Sequence, residues 1–413
     1  MFKRLGITLV LIAVLIGMPM TSASAQSDSD CQYFGTHSNG ALYCITVPEN
    51  WNGDLIIFAH GYVPVTLPLA IPWDQMELPG GVTMPQVVNG MGYAFATTSY
   101  SENGLAVLRG VVDILDLIDV FEQTVGTPNH IYLIGASEGG LVTTLAIERH
   151  PGVFTGGMSM CGPIGDFRGQ VDYWGDFRVL FDYFLPGVLP PSPVDIPQSV
   201  MDNWDTFYKS SIAGSLANPA NALQVQQLMA VSQAPYDPMN LNTIGETVLG
   251  VLWYNAFATN DAIAKLHGQP FDNHDRVYTG PLPEPLLQLL NANVERFTAD
   301  KLALLQIANK YETSGKLKKP LVVLHTTGDP IVPVWHADLY TAKVAAYDKA
   351  APYLYIPITR YGHCSFTLDE ILVGFDWLVN DATGQHVDTG HLHIDASKAN
   401  ELYYQDVSPL PTP

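Results

Sequence analysis

His130-Ile-Tyr-Leu-Ile-Gly-Ala-Ser-Glu-Gly-Gly140 is the stretch on which the reading of this chain turns. Ile131 to Ile134 is a short apolar run of the kind that forms a buried strand. It leads into Gly135-Ala136-Ser137-Glu138-Gly139, a G-x-S-x-G pentapeptide, and Leu141 to His150 behind it reads as an amphipathic helix. Strand, sharp turn and helix together expose the central serine at the tip of a strained elbow. Residues without a Cβ let the helix pack close to the strand in so crowded a turn. The pentapeptide alone is weak, because glycine and serine are abundant. The competing reading is a glycine-rich loop, and the flanking elements argue against it.

With this elbow the chain resembles the α/β-hydrolase family, in which nucleophile, acid and histidine follow in that order, each on a loop after a strand. The resemblance implies Ser137 as nucleophile. It points to His363, in Tyr361-Gly-His-Cys364, as the base. Tyr353 to Ile358 before it alternates like a strand. Thr367 to Val379 after it carries Leu368, Ile371, Leu372, Phe375 and Leu378 at helical spacing. The acid is expected at Asp329, in Thr326-Thr-Gly-Asp-Pro-Ile-Val-Pro333 after the strand Leu321 to His325. An Asp-Pro turn is the plain alternative there. Asp369 and Asp376 stand as fallback acids, and His60, His325 and His336 as fallback bases, each outside the position the family order implies.

The three residue types belong together chemically. A serine hydroxyl needs an imidazole to take its proton as it attacks a carbonyl. A buried carboxylate fixes the imidazole tautomer and stabilises the imidazolium. The tetrahedral oxyanion needs donors aimed at it. The family pattern places one at the backbone N–H of Glu138 and the other in the loop after an early strand. Here that loop follows Asp54 to Ala59 and begins His60-Gly61-Tyr62. The second donor is assigned to the Tyr62 N–H, with Gly61 as the alternative. The His60 ring is read as support for the turn.

Composition bounds the setting. The chain has 413 residues. It opens Met1-Phe-Lys-Arg4, continues with an apolar run from Leu5 to Met20, and offers small residues at Ala23-Ser-Ala25, the pattern of a cleavable secretory signal. The run is short for a membrane-spanning helix. Cleavage after Ala25 would leave 17 basic against 40 acidic residues, a balance of −23. Nucleic acid is then a poor partner, and no stable membrane association is expected once the signal is gone. The destination is secreted or periplasmic. Four cysteines, Cys31, Cys44, Cys161 and Cys364, suggest two disulfides in an exported chain, and their spacing is not that of a zinc site. Cys31 and Cys44 flank the turn signal Ser38-Asn39-Gly40. The hydrolase topology implies that Cys161 pairs with Cys364 beside the catalytic histidine. No metal and no cofactor is expected.

The resemblance implies an α/β fold, a mostly parallel sheet flanked by helices, and the alternation of strand and helix agrees. Leu105 to Phe121 reads as a helix with Asp113, Asp116, Asp119 and Glu122 on a solvated face. Two histidines, His391 and His393, share one face of a strand-like segment in the tail, without a third ligand nearby. From residue 163 to 316 the strand-helix rhythm stops and aromatics accumulate, as expected of a largely helical cap inserted between residues 26–162 and 317–413 of the core. Most of these aromatics should be cap core, while Trp174, Phe177 and Phe181 are candidates to line the route to Ser137. The function implied is hydrolysis of a small-molecule or polymeric carboxylic ester through an acyl-enzyme. A serine peptidase of aminopeptidase type is the rival, with Glu138 as candidate amine ligand, although a carboxylate there also suits the N-terminus of the elbow helix. A non-catalytic binding protein on the same scaffold is the third reading.

Overall fold

A computed structural model describes residues 28–78 and 81–387. The expected signal segment and the His391/His393 pair lie outside the described residues. An antiparallel ribbon of β1 (Tyr33–Thr36) and β2 (Leu42–Thr46) leads into β3 (Leu55–Ala59). A minor ribbon of β4 (Glu77–Leu78) and β5 (Val82–Thr83) precedes α1 (Met84–Gly90). Then come β6 (Ala94–Thr98), α2 (Val107–Thr124), β7 (Ile131–Ala136), α3 (Glu138–Arg149) and β8 (Gly156–Met160). Seven α-helices follow without a strand: α4 (Phe167–Phe184), α5 (Gln198–Asp202), α6 (Lys209–Ala217), α7 (Ala222–Ser232), α8 (Thr243–Leu266), α9 (Glu284–Asn293) and α10 (Lys301–Gln306). The alternation resumes with β9 (Leu321–Gly328), α11 (Trp335–Tyr347), β10 (Tyr353–Tyr361) and α12 (Leu368–Thr383).

The main sheet has eight strands in the order β1-β2-β6-β3-β7-β8-β9-β10, and every pairing from β6 onward is parallel. Parallel strands need crossovers, and helices supply them on both faces. The strands are therefore buried on both sides and read as continuous apolar runs. Within each, the period of two sorts the side chains. Leu55, Ile57, Ile131, Leu133, Leu321 and Val323 face α2, α3 and α11. Ile56, Phe58, Tyr132, Ile134, Val322 and Leu324 face α1 and α12. Parallel order also brings the carboxyl ends of β7, β9 and β10 to the same edge, where an open α/β sheet holds its ligands.

The helical segment between β8 and β9 builds its own core from Phe177, Phe181, Trp204, Leu228, Val251, Leu252 and neighbours. It is also stitched into the main one, since Phe167, Leu266, Ala303, Ile307 and Tyr311 pack with α2 and α3. Among the described residues no helix is long and apolar enough to cross a membrane. Both disulfides are present: Cys31–Cys44 closes the first ribbon, and Cys161–Cys364 joins the end of β8 to the loop after β10.

Three local expectations change. Residues 138–147 of α3 are all buried, so the helix is covered all round rather than amphipathic. The strand expected from Val153 begins only at Gly156, because residues 151–153 turn. Asp113, expected on a solvated face, is fully buried. Its carboxylate accepts the Ser101 N–H at 2.6 Å and the Asn39 amide at 2.6 Å, pinning the β1–β2 turn and the loop after β6 to α2. A buried carboxylate survives only when its oxygens are satisfied. Asp113→Ala is therefore expected to cost about 1–3 kcal/mol by orphaning those donors, while Asp119→Ala on the exposed face stays within about 0.5 kcal/mol. Urea unfolding of both variants measures the contrast.

Candidate active site

Gly135, Gly139 and Gly140 shape the elbow. A Cβ on Gly135 would lie 2.0 Å from the Gly139 carbonyl oxygen, one on Gly139 would lie 2.0 Å from that of Ala59, and one on Gly140 would meet Ser159 Oγ at 2.8 Å. Only glycine lets α3 leave β7 at this angle and press against β3. Ser137 is left at the tip with φ 56° and ψ −123°, a region that a residue with a side chain occupies only under constraint. Its N–H, donated to Met160 O at 2.9 Å, holds the tip against β8.

The Ser137 hydroxyl lies 2.9 Å from His363 Nε2, and His363 Nδ1 lies 2.7 Å from Asp329 Oδ2. Residues from the ends of β7, β9 and β10 thus form one continuous chain of hydrogen bonds. Asp329 is wholly buried, and its other oxygen accepts the N–H groups of Ile331 (2.9 Å) and Val332 (3.0 Å). That second oxygen is the anchor that aims the first at the imidazole. The His363 loop is fixed from several sides. Thr326 Oγ1 donates to Gly362 O at 2.6 Å, Gly362 N–H to Gly328 O at 3.2 Å, and the disulfide of Cys364 ties the next residue to β8. Cys161, His363 and Cys364 offer donor atoms within 4.8 Å of one another, but both sulfurs are already bonded to each other.

Gly61 N–H is donated to Gln75 Oε1 at 2.7 Å, which takes it away from an incoming oxyanion. Among the described residues the N–H groups of Tyr62 and Glu138 have no partner, and both residues border the same cleft as Ser137. The three fallback histidines serve the frame. His60 is buried, holds Gly61 O at 2.7 Å through Nδ1 and stacks on Tyr100 at 3.9 Å; burial lowers its pKa to about 4. His325 contacts Val332 O at 2.7 Å, and His336 holds Gln170 Oε1 at 2.7 Å. Burial lowers the pKa of both. Of the fallback acids, Asp376 sits 3.0 Å from His386 on α12, remote from the relay, and Asp369 lies in the first turn of the same helix.

The Glu138 side chain turns away from its own helix. Its carboxylate accepts the Ala106 N–H at 2.6 Å and interacts with that of Val107, capping α2 rather than α3. An N-terminal helix end suits a carboxylate. Desolvation nevertheless dominates and raises its pKa to about 8, against the pull of those backbone donors and Lys265.

The cleft over Ser137 spans about 820 Å³ of space, open solvent at its mouth included. Its walls are apolar, from Leu105, Phe167, Val171, Ala258, Phe271 and Ile331. Trp174 lines it as expected. Phe177 and Phe181 do not, being 1% and 0% exposed inside the helical layer's core. Gln170, Tyr173 and Trp174 lie in the first turns of α4, against the acid loop, while Phe177 and Phe181 follow on the same face one and two turns further along, inside the helical core. Those three side chains donate to the acid loop, Gln170 and Trp174 to Ile331 O (3.0 and 3.1 Å) and Tyr173 to Pro330 O (2.7 Å). Tyr254 of α8, expected only as core, also lines the cleft together with Ser137. Nothing local in the sequence separates Tyr254 from its neighbours Trp253 and Phe257, because Ser137 stands 117 residues away.

No family model and no curated protein matches the chain. Solved structures similar to it include an acylaminoacyl peptidase of Pyrococcus horikoshii (14% identity, TM-score 0.42, 89% of this chain). An esterase from Aspergillus oryzae (15%, 0.46, 80% of this chain and 71% of its own) and Candida antarctica lipase A in its closed state (16%, 0.42, 86% and 78%) are also similar. The chain spans 43% of the peptidase's length. All three scores fall below 0.5, so the fold is read from strand order and elbow.

The raised pKa of Glu138 has a stability consequence. The folded state keeps this proton up to about 8, whereas an unfolded glutamate releases it near 4.5. Between these values the folded state binds more protons, so this group's contribution is full below about 4.5 and is lost as pH rises through about 8. Glu138→Gln should remove that slope. Urea midpoints of both proteins from pH 4 to 9 test it, and parallel curves would refute the assignment.

Proposed function

We propose that this chain, an α/β-hydrolase by fold, is a serine hydrolase of carboxylic esters. The observation that carries this is the relay of two short hydrogen bonds from Ser137 through His363 to buried Asp329. In this reading the ester carbonyl enters beside Ser137 and its oxygen faces the N–H groups of Tyr62 and Glu138. His363 Nε2 takes the hydroxyl proton as Oγ attacks, with Asp329 holding Nδ1–H and stabilising the imidazolium. Collapse of the tetrahedral intermediate gives the proton to the leaving alcohol and leaves an acyl group on Ser137. Water, deprotonated by the same imidazole, then releases the acid.

The acyl group belongs in the apolar cleft and the alcohol on the side of His363, which is outside the cleft lining and partly exposed. Ester rather than peptide is favoured because an aminopeptidase needs a free carboxylate for the substrate amine, and the Glu138 carboxylate is taken up by α2. Two disulfides suit an oxidising compartment, so secretion is part of the same proposal. The partner is a small-molecule or polymeric ester.

A fluorophosphonate should label the wild-type chain, and peptide mapping should place the label on Ser137. Ser137→Ala should lose about 10⁶-fold in kcat on p-nitrophenyl esters with unchanged thermal unfolding. Aminoacyl anilides should be cleaved far more slowly than esters. Label on another residue, retained turnover in Ser137→Ala, or faster anilide cleavage would each reject the proposal.

A further inference from the structure

We propose that the hydroxyl of Tyr254 is a third oxyanion donor, delivered to the reaction by the helical segment rather than by the sheet. This rests on the serine-hydrolase reading above. Tyr254 and Ser137 border the same cleft, together with Tyr62 and Glu138, whose N–H groups form the expected oxyanion site. The Tyr254 ring is fixed by stacking on Trp174 at 5.0 Å and lies 5.9 Å from the ring of Tyr62. Ser137 is the side chain its hydroxyl approaches across the cleft.

Proton bookkeeping sets which of the two hydroxyls can donate. The Ser137 O–H is committed to His363 Nε2, whose other nitrogen donates to Asp329. Ser137 has no second proton to give, so a phenolic O–H that comes beside its Oγ can only donate. When Oγ attacks, one of its lone pairs goes into the new C–O bond. Two bonds away the carbonyl oxygen becomes an anion, and a phenolic O–H can rotate to it without moving its ring. A donor to a developing charge in an apolar cleft stabilises the transition state more than the ground state, as catalysis requires. The phenol stays a donor across the working pH range, because burial pushes its ionisation upward, with the charge of Asp329 adding to the effect.

The helix that carries it is anchored on both sides of residue 254. Tyr361 donates to Thr243 O at 3.1 Å and shares a hydrogen bond with Thr247 at 3.0 Å. Tyr62 donates to Phe257 O at 2.9 Å, and Leu105 N–H donates to Asp261 at 2.6 Å. These bonds come from the His363 strand, the oxyanion loop and the α2 entry, so α8 is registered against all the parts it must serve. Pre-placement of this kind is what makes an electrostatic donor effective, since nothing has to reorganise during reaction.

Tyr254→Phe keeps the ring and removes only the O–H. The full-length variant should lose about 100-fold in kcat on p-nitrophenyl and alkyl esters alike, with KM within about threefold. A trifluoromethyl ketone, which adds Ser137 and carries the same oxyanion, should bind weaker by a similar factor. Thermal unfolding should be unchanged, whereas a purely structural tyrosine would shift unfolding and KM and leave ketone affinity in step with substrate affinity. Tyr254→Phe with kcat within threefold of wild type, or with undiminished ketone binding, overturns the third donor. Wild-type chain that neither turns over esters nor binds the ketone rejects the hydrolase reading, and the donor falls with it.

Discussion

A missing Cβ at Gly139 is the constraint from which the rest of the site follows. The Ala59 carbonyl oxygen occupies the space a side chain would need. That contact draws the start of α3 against the end of β3 and so places the tip of the elbow next to the loop that follows β3. Ser137 and the N–H groups of Tyr62 and Glu138 thereby become neighbours through backbone packing alone. The strained φ of Ser137 is the local cost, of order 1–3 kcal/mol, and the buried elements around it, α3 between β7, β3 and α2, offset it.

The acid loop is the second junction. Asp329 looks inward to the relay through one oxygen and to its own loop through the other. The carbonyls that close this loop, at Pro330 and Ile331, are the acceptors for Tyr173, Gln170 and Trp174 of α4. A backbone that serves as both the back of Asp329 and the seat of a helix couples the two. The helical segment is thus continuous with the site, in hydrogen bonding as well as in its shared core with α2 and α3.

The legible parts of this chain were those written in local pattern. Apolar runs marked β3, β7 and β9, because strands buried on both faces carry little else. The elbow glycines marked the turn, and family order then located Asp329 and His363. What escaped were choices made by tertiary neighbours. Asp113 sits at a helix position that periodicity assigns to water, yet Asn39 and the Ser101 backbone reach it from 74 and 12 residues away. Trp174, Phe177 and Phe181 were equal candidates for the cleft, and only the place of the acid loop along α4 decides that Trp174 borders it while the other two are buried in the helical core. Glu138 was expected to charge its own helix. Its side chain is long enough to cap the neighbouring one, and no sequence rule distinguishes those outcomes.

That last choice bears on specificity. A carboxylate one residue from the nucleophile would give the cleft a negative wall, attractive to an amine and repellent to a carboxylic acid product. By spending its lone pairs on the N-terminus of α2, and by holding its proton when desolvated, Glu138 withdraws that charge. Apolar side chains and donors aimed at one oxygen remain. In the proposed reading such a surface suits a neutral carbonyl with a hydrocarbon flank, and the moment when that oxygen is charged over any ground state, because only then would the donors meet an acceptor stronger than water. The acidic exterior of the protein, with 40 acidic residues against 19 basic, does not extend into the cleft, so long-range charge and local recognition are set independently.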